Sequence, residues 1–264
     1  MKFIDKFVKD EDIKDNLIRL LYKCMKEAVN STDKSPHTKE DGTIITKTDK
    51  KLDKLITNYL NLLNPSIPVI SEEGKIDITN FKNNIFWLID PIDGTSAYVR
   101  GERGYTVNIA LIYKGSPILG FIGHPPTRTI WYAIDNKAFI EKNNSKKKLQ
   151  VNNEFTNKII VVMSKNFDEV TKNFVKKIKG AHLKYYSSSI KFCKLAEGKA
   201  NFYPRFQSIS KWDIAAGDAI LRASGGYMLD KRGLNYNYNS LKIETGTFFA
   251  IASRILWARV KKLI

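Results

Sequence analysis

Residues 87–95 read Trp-Leu-Ile-Asp-Pro-Ile-Asp-Gly-Thr, an apolar run that delivers two carboxylates, Asp90 and Asp93, across a proline-fixed turn. Pro91 restricts the backbone, so both carboxylates and the Ile92 carbonyl can converge on one point. These are hard oxygen donors, suited to Mg²⁺ or Ca²⁺ and poorly suited to a soft metal. Gly94 lets the chain approach a ligand closely, and Thr95 and Ser96 are placed to open a short helix whose N–H groups face an anion. Cation ligands beside an anion-binding turn point to phosphate ester chemistry. A bare structural turn has little use for two carboxylates on an apolar strand, and buried acids mark functional sites.

Other acids have similar placement. Glu72 and Glu73 follow the strand-like Pro68-Val69-Ile70, Asp49 opens a helical stretch after Thr46 and Thr48, and Asp213 opens another after Trp212. Each also reads as a helix cap or an exposed carboxylate. Phosphate loops of the G-x-x-x-x-G-K-[ST] type, dinucleotide loops, H-E-x-x-H and G-x-S-x-G are absent from the sequence. The three histidines, His37, His124 and His182, have no partners in sequence, so nucleophilic Ser-His or Cys-His chemistry has weak support.

The elements that must position these residues follow from periodicity. Phe3, Phe7, Ile13, Leu17, Leu20, Leu21 and Met25 lie near helical spacing and predict one or two amphipathic helices over 3–29. A polar, turn-rich segment follows, in which Asp41-Gly42 suits a tight hairpin. Apolar residues at three and four predict a helix over 49–63, ended by Asn64-Pro65. Strand-like runs at 68–70, 85–89, 106–113, 117–122 and 129–134 predict a meander. The Asn/Lys-rich stretch at 142–153 reads as a surface loop and the division between two halves. Beyond it strands near 159–163, 185, 201–203 and 248–252 alternate with helices at 168–178, 189–197, 213–223 and the basic C-terminus, the rhythm of an α/β layer.

A chain of 264 residues makes one large domain or two packed ones, and 43% hydrophobic with 27% charged residues excludes wholesale disorder. No run approaches the roughly 18 apolar residues of a membrane-spanning helix. Acidic residues near the N-terminus argue against an export signal. Cys24 and Cys193 stand far apart in no metal-ligand spacing and read as reduced thiols of a cytosolic protein. Lys+Arg of 44 against Asp+Glu of 27 gives a formal charge of +17. That excess fits nucleic acid, an anionic membrane surface or anionic small substrates. The lysines are spread along the chain, and the compact run Lys146-Lys147-Lys148 sits in the expected loop, so a solvated face is preferred to a nucleic-acid site.

The stretches Thr46-Lys47-Thr48-Asp49, Glu72-Glu73, DPIDGT at 90–95 and WDIAAGDAILRASGG at 212–226 resemble, in order and spacing, the inositol monophosphatase superfamily of Mg²⁺-dependent, lithium-sensitive phosphatases. The likeness runs from about residue 10 to the end. TVNIALI at 106–112, PILGFIGHPP at 117–126 and SSSIKFCKLAEGKANFYPRF at 187–206 are similar to its CysQ-type 3′(2′),5′-bisphosphate nucleotidases. The resemblance implies a layered α/β/α/β/α sandwich. It would combine an N-terminal α+β domain, residues 1–153, carrying most metal ligands with a C-terminal α/β domain, residues 154–264, carrying Asp213 and the substrate pocket.

It further implies two or three Mg²⁺ ions: one on Glu72, Asp90 and the Ile92 carbonyl, a second on Asp90, Asp93 and Asp213, and a weaker third near Glu72 and Asp49. Gly94, Thr95 and Ser96 would grip the scissile phosphate beside the Glu72 and Asp213 ligands, and Asp49 and Thr95 would orient the attacking water. Ser188, Lys191 and Arg205 match positions that hold the nucleotide portion. The chain departs from the usual pattern at Thr43-Ile44-Ile45-Thr46, where the proline of S-P-V-T is missing, at Gln207 to Lys211 and at Ser96-Ala97-Tyr98-Val99-Arg100, in place of a Lys-Glu-Phe-Ile continuation. The expected activity is removal of the 3′-phosphate of adenosine 3′,5′-bisphosphate in the cytoplasm, without a covalent intermediate. Inositol monophosphate, histidinol phosphate and fructose 1,6-bisphosphate are alternative substrates of the same chemistry. A basic nucleic-acid-binding protein is the remote alternative. A homodimer and peripheral membrane contact are compatible with the reading.

Overall fold

The computed structural model describes residues 7–40, 42–143, 145–154 and 158–264. Phe3 of the first helical pattern and Asp41 of the expected turn therefore lie outside the described residues. Asp10 caps helix α1 (Glu11–Asn30), its carboxylate accepting from the Asp12 and Ile13 N–H groups. The hairpin expected near residue 42 is present as β1 (His37–Thr38) paired antiparallel with β2 (Ile44–Ile45). Helix α2 spans Lys47–Leu63, so Asp49 sits in its first turn rather than at its start.

A seven-stranded sheet follows in sequence order: β3 (Val69–Ser71), β4 (Ile85–Asp93), β5 (Thr106–Tyr113), β6 (Ser116–His124), β7 (Thr129–Ile134), β8 (Lys137–Lys142) and β9 (Ser145–Lys148). It is the expected meander except that β3 runs parallel to β4. The short helix α3 (Thr95–Val99) interrupts it between β4 and β5. The second, five-stranded sheet has the order β11 (Ala181–Tyr185), β10 (Ile159–Met163), β12 (Phe202–Arg205), β14 (Phe248–Ile251), β13 (Tyr227–Asp230). Its helices are α4 (Glu169–Lys176), α5 (Ile190–Ala196), α6 (Trp212–Ala223) and α7 (Arg254–Val260).

The side-chain period of two assigns each face of β4. Trp87 and Ile89 join Leu17, Leu21 and Leu52 of α1 and α2, while Phe86 and Leu88 face the middle layer with Ala215, Ala216 and Ile220 of α6. Small residues let α6 lie close to the sheet: a Cβ on Gly120 would fall 2.5 Å from the Ala216 carbonyl oxygen. The far face of the second sheet buries Val161, Phe202 and Phe249 under Phe174 of α4 and Leu256 of α7. The result is helices, sheet, helices, sheet, helices, the five-layered sandwich that the family resemblance implies. No helix among the described residues is long and apolar enough to cross a membrane.

One expectation needs correction. The stretch 142–153 is not all loop: residues 145–148 form β9, an exposed edge strand antiparallel to β8. In the second half, the strands alternate with helices as expected, and β14 runs antiparallel to both β12 and β13.

Candidate active site

Parallel pairing of β3 and β4 brings two acidic strand ends together. Ser71 pairs with Ile89, after which β3 ends and the Glu72 N–H donates to the Ile89 carbonyl at 3.3 Å. Beyond that point β4 has no neighbour on this side, so Pro91 removes no ladder hydrogen bond there. The β4–β5 register shifts between Asp90 and Asp93, and this bulge re-aims the chain at the site. Gly94 follows at φ +95, and a Cβ there would stand 2.7 Å from the Gly104 carbonyl oxygen, so both conformation and space require glycine.

Carboxylate oxygens of Glu72, Asp90 and Asp213 all lie within 4.8 Å of one another. Asp213 comes from the first turn of α6, where its Oδ2 accepts from the Ser210 N–H at 2.9 Å. Asp90 is buried, and among the described residues its side-chain oxygens meet no donor apart from the neighbouring Glu72 carboxyl when that is protonated. A buried unpartnered carboxylate is costly, and like charges add to the cost. Burial, then the repulsion of its neighbours, holds Asp90 well above the usual carboxylate range; the same causes act on Asp213. Burial and the adjacent Glu73 push Glu72 up to about 7, partly offset by Lys39. Three converging oxygen acids, with no basic side chain or N–H donor at the buried Asp90 oxygens among the described residues, fit a hard divalent cation such as Mg²⁺.

The other expected ligands also carry hydrogen bonds within the chain, and Asp93 lies close enough to Asp90 and Asp213 to add to the repulsion on both. Asp93 Oδ2 accepts from the Ser189 N–H at 2.7 Å, from Ser189 Oγ at 2.8 Å and from Asn108 Nδ2 at 3.2 Å. The Ile92 carbonyl accepts from Thr95 Oγ1 at 3.0 Å. Asp49 is the partner of Thr46 in a capping box, its Oδ2 accepting the Thr46 N–H at 2.8 Å, and its Oδ1 lies 3.2 Å from Thr95 Oγ1. Burial raises the Asp49 carboxyl above its ordinary value, although the Thr46 and Thr95 hydrogen bonds pull the other way. Thr95 and Ser96 open α3, as the sequence predicts.

Ser188, Lys191 and Arg205 line one pocket of about 200 Å³ together with Asp93 and Asp213. Ser188 adopts φ +48, and its buried Oγ has no partner. Lys191 is buried with its ammonium 5.3 Å from the Tyr203 ring centroid, and desolvation pushes it down to about 8. Arg205 Nε donates to the Gln207 carbonyl at 3.1 Å.

Sequence reasoning missed several residues that complete the arrangement. Lys39 pairs with Glu73 at 2.7 Å and approaches Glu72 at 3.8 Å. Ser189 links Asp93 to the Asp213 carbonyl, which it approaches at 3.0 Å. Asn108 was detectable as an amide inside an otherwise apolar strand; the contacts of Lys39 and Ser189 left no local signal.

A profile of the inositol monophosphatase family matches residues 7–260. The chain is 41% identical over 203 residues to the 3′(2′),5′-bisphosphate nucleotidase CysQ of Buchnera aphidicola, covering 76% of each protein. Among solved structures it is similar to CysQ from Bacteroides thetaiotaomicron, with a TM-score of 0.76 and 27% identity over 89% of this chain and 95% of that one. The Thermotoga maritima IMPase shares the fold at a TM-score of 0.79 and 23% identity, covering 96% of both chains.

Proposed function

The chain belongs to the inositol monophosphatase family, and on that premise we propose that it removes the 3′-phosphate of adenosine 3′,5′-bisphosphate, giving AMP and phosphate. The observation that carries the reading is the buried Glu72, Asp90 and Asp213 cluster beside a pocket holding Lys191 and Arg205. Glu72, Asp90 and the Ile92 carbonyl would hold one Mg²⁺, Asp90, Asp93 and Asp213 a second, and Glu72 and Asp49 a weaker third. Bound there, the ions would neutralise the phosphate dianion, acidify the attacking water and stabilise the leaving oxygen.

The remaining work falls to the chain. Gly94, Thr95 and Ser96 grip the scissile phosphate, with backbone N–H groups at the opening of α3 as donors. Asp49 and Thr95, 3.2 Å apart, orient the water, and the Asp49 carboxylate receives its proton. The new phosphorus–oxygen bond forms as the bond to O3′ breaks, and O3′ leaves with a proton from solvent. Water is the only nucleophile, in keeping with the lack of a Ser-His or Cys-His pair.

Lys191, Arg205 and Ser188 receive the 5′-phosphate: two cations and a hydroxyl without a protein partner match a second phosphate group. A monophosphorylated polyol has no group for that pocket. The test is phosphate release in Mg²⁺ from adenosine 3′,5′-bisphosphate and inositol 1-phosphate side by side. The nucleotide is expected to have the higher kcat/KM by at least about tenfold, one charge-assisted contact's worth. Equal or reversed preference would discard the 5′-phosphate pocket.

A further inference from the structure

Tyr98 is fully buried in α3, its ring edge-on to Tyr105 with centroids 5.0 Å apart. Its hydroxyl stands 3.0 Å from Thr48 Oγ1 and 3.1 Å from the Ala28 carbonyl, and its one proton serves both acceptors. Thr48 Oγ1 donates onward to Ser31 Oγ at 2.8 Å, and Ser31 Oγ to the Asp33 carbonyl at 3.2 Å. One phenol therefore ties together the end of α1, the first turn of α2 and the helix of the DPIDGT turn.

The same two elements, α2 and α3, meet a second time on the open side. Asp49 follows Thr48 directly, Thr95 lies three residues before Tyr98, and these two form the 3.2 Å contact at the site. Helix α3 has five residues after a glycine at φ +95, too short to hold its own orientation. The contact at the site is part-buried, with Asp49 enclosed and Thr95 partly open to water, whereas the Tyr98–Thr48 contact is buried on both sides.

We propose that the Tyr98 hydroxyl is a positioning group for the hydrolysis, setting the Thr95–Asp49 separation through Thr48. The inference rests on the reading of Asp49 and Thr95 as the water-orienting pair. A phenylalanine would keep the ring packing and lose the link.

The test compares Tyr98→Phe and Thr48→Val, singly and together, in Mg²⁺-dependent phosphate release from adenosine 3′,5′-bisphosphate, with melting curves of each. Each single variant is expected to lose about tenfold in kcat with KM within about twofold, while remaining folded at the assay temperature. The double variant should be no worse than the poorer single one, since both break the same link. A Tyr98→Phe kcat within about twofold of the unaltered protein would overturn the proposal, as would losses that multiply in the double variant. If Thr48→Val does not fold, Ser31→Ala, which breaks the chain one bond further on, takes its place in the cycle. No turnover by the unaltered protein would remove the reading beneath the inference and the inference with it; turnover insensitive to Tyr98→Phe overturns the inference alone.

Discussion

Asp90 concentrates the physical conflict in the site: a buried carboxylate that meets no N–H or basic donor among the described residues, with two further acids within 4.8 Å. Its neighbour Glu72 makes that conflict measurable in the metal-free protein. The Glu72 carboxyl is pushed from its ordinary 4.5 to about 7 by burial and by Glu73. The folded state thus keeps a proton that the unfolded chain has released, so this group's stabilisation is present below about 4.5 and lost as pH rises through about 7. Metal-free protein is expected to lose Tm between about pH 5 and pH 8, and Glu72→Gln to show a shallower loss over the same window. Melting curves without divalent ions check this, and identical slopes for the two proteins would contradict it. Asp90 and Asp93 were legible in the sequence because six consecutive residues fix their geometry. The bond between Ser189 and Asp93 spans 96 positions and was not, since only the packed layers bring its ends together.

At the scale of elements, helices with regular apolar spacing were read to within a few residues, and the differences have identifiable causes. The start of α2 moved because Thr46 and Asp49 form a capping box, which puts Asp49 inside the first turn. Strand β8 was missed because Asp135 and Asn136, at φ +49 and +54, turn the chain in two residues without a glycine to announce it. Strand β9 was missed for the opposite reason: its composition is that of an edge, not of a core. It ends the seven-stranded sheet with Lys146, Lys147 and Lys148 exposed, and such charges prevent edge-to-edge pairing. The Lys146 ammonium also covers the Phe139 ring, 4.3 Å from its centroid. Lys147→Val with Lys148→Val is expected to leave the fold intact and make the protein self-associate at raised concentration. Size-exclusion elution unchanged from the unaltered chain across the concentration range would refute that role for the lysines.

Across the whole molecule, the five layers put the site at a meeting of ends: the ends of β3 and β4, the starts of α2, α3 and α6, and the segment leading into α5. The order of the layers was legible only through the family resemblance, because periodicity gives elements and their buried faces but not which faces meet. The small residues of WDIAAGDAILRASGG let that helix lie close to the sheet; that it lies between two sheets is a tertiary fact. The formal charge of +17 suits anionic substrates without selecting one. On the proposed reading, selection falls to the pocket holding Lys191 and Arg205. The proposal that turnover depends on the carboxylate cluster is tested most directly by one comparison: phosphate release from adenosine 3′,5′-bisphosphate by the unaltered protein with and without Mg²⁺, and by Asp90→Asn with Mg²⁺. The account predicts release by the unaltered protein only with Mg²⁺, and a loss of about a thousandfold or more in Asp90→Asn with the fold retained. Activity of Asp90→Asn within a few fold of the unaltered protein would contradict it.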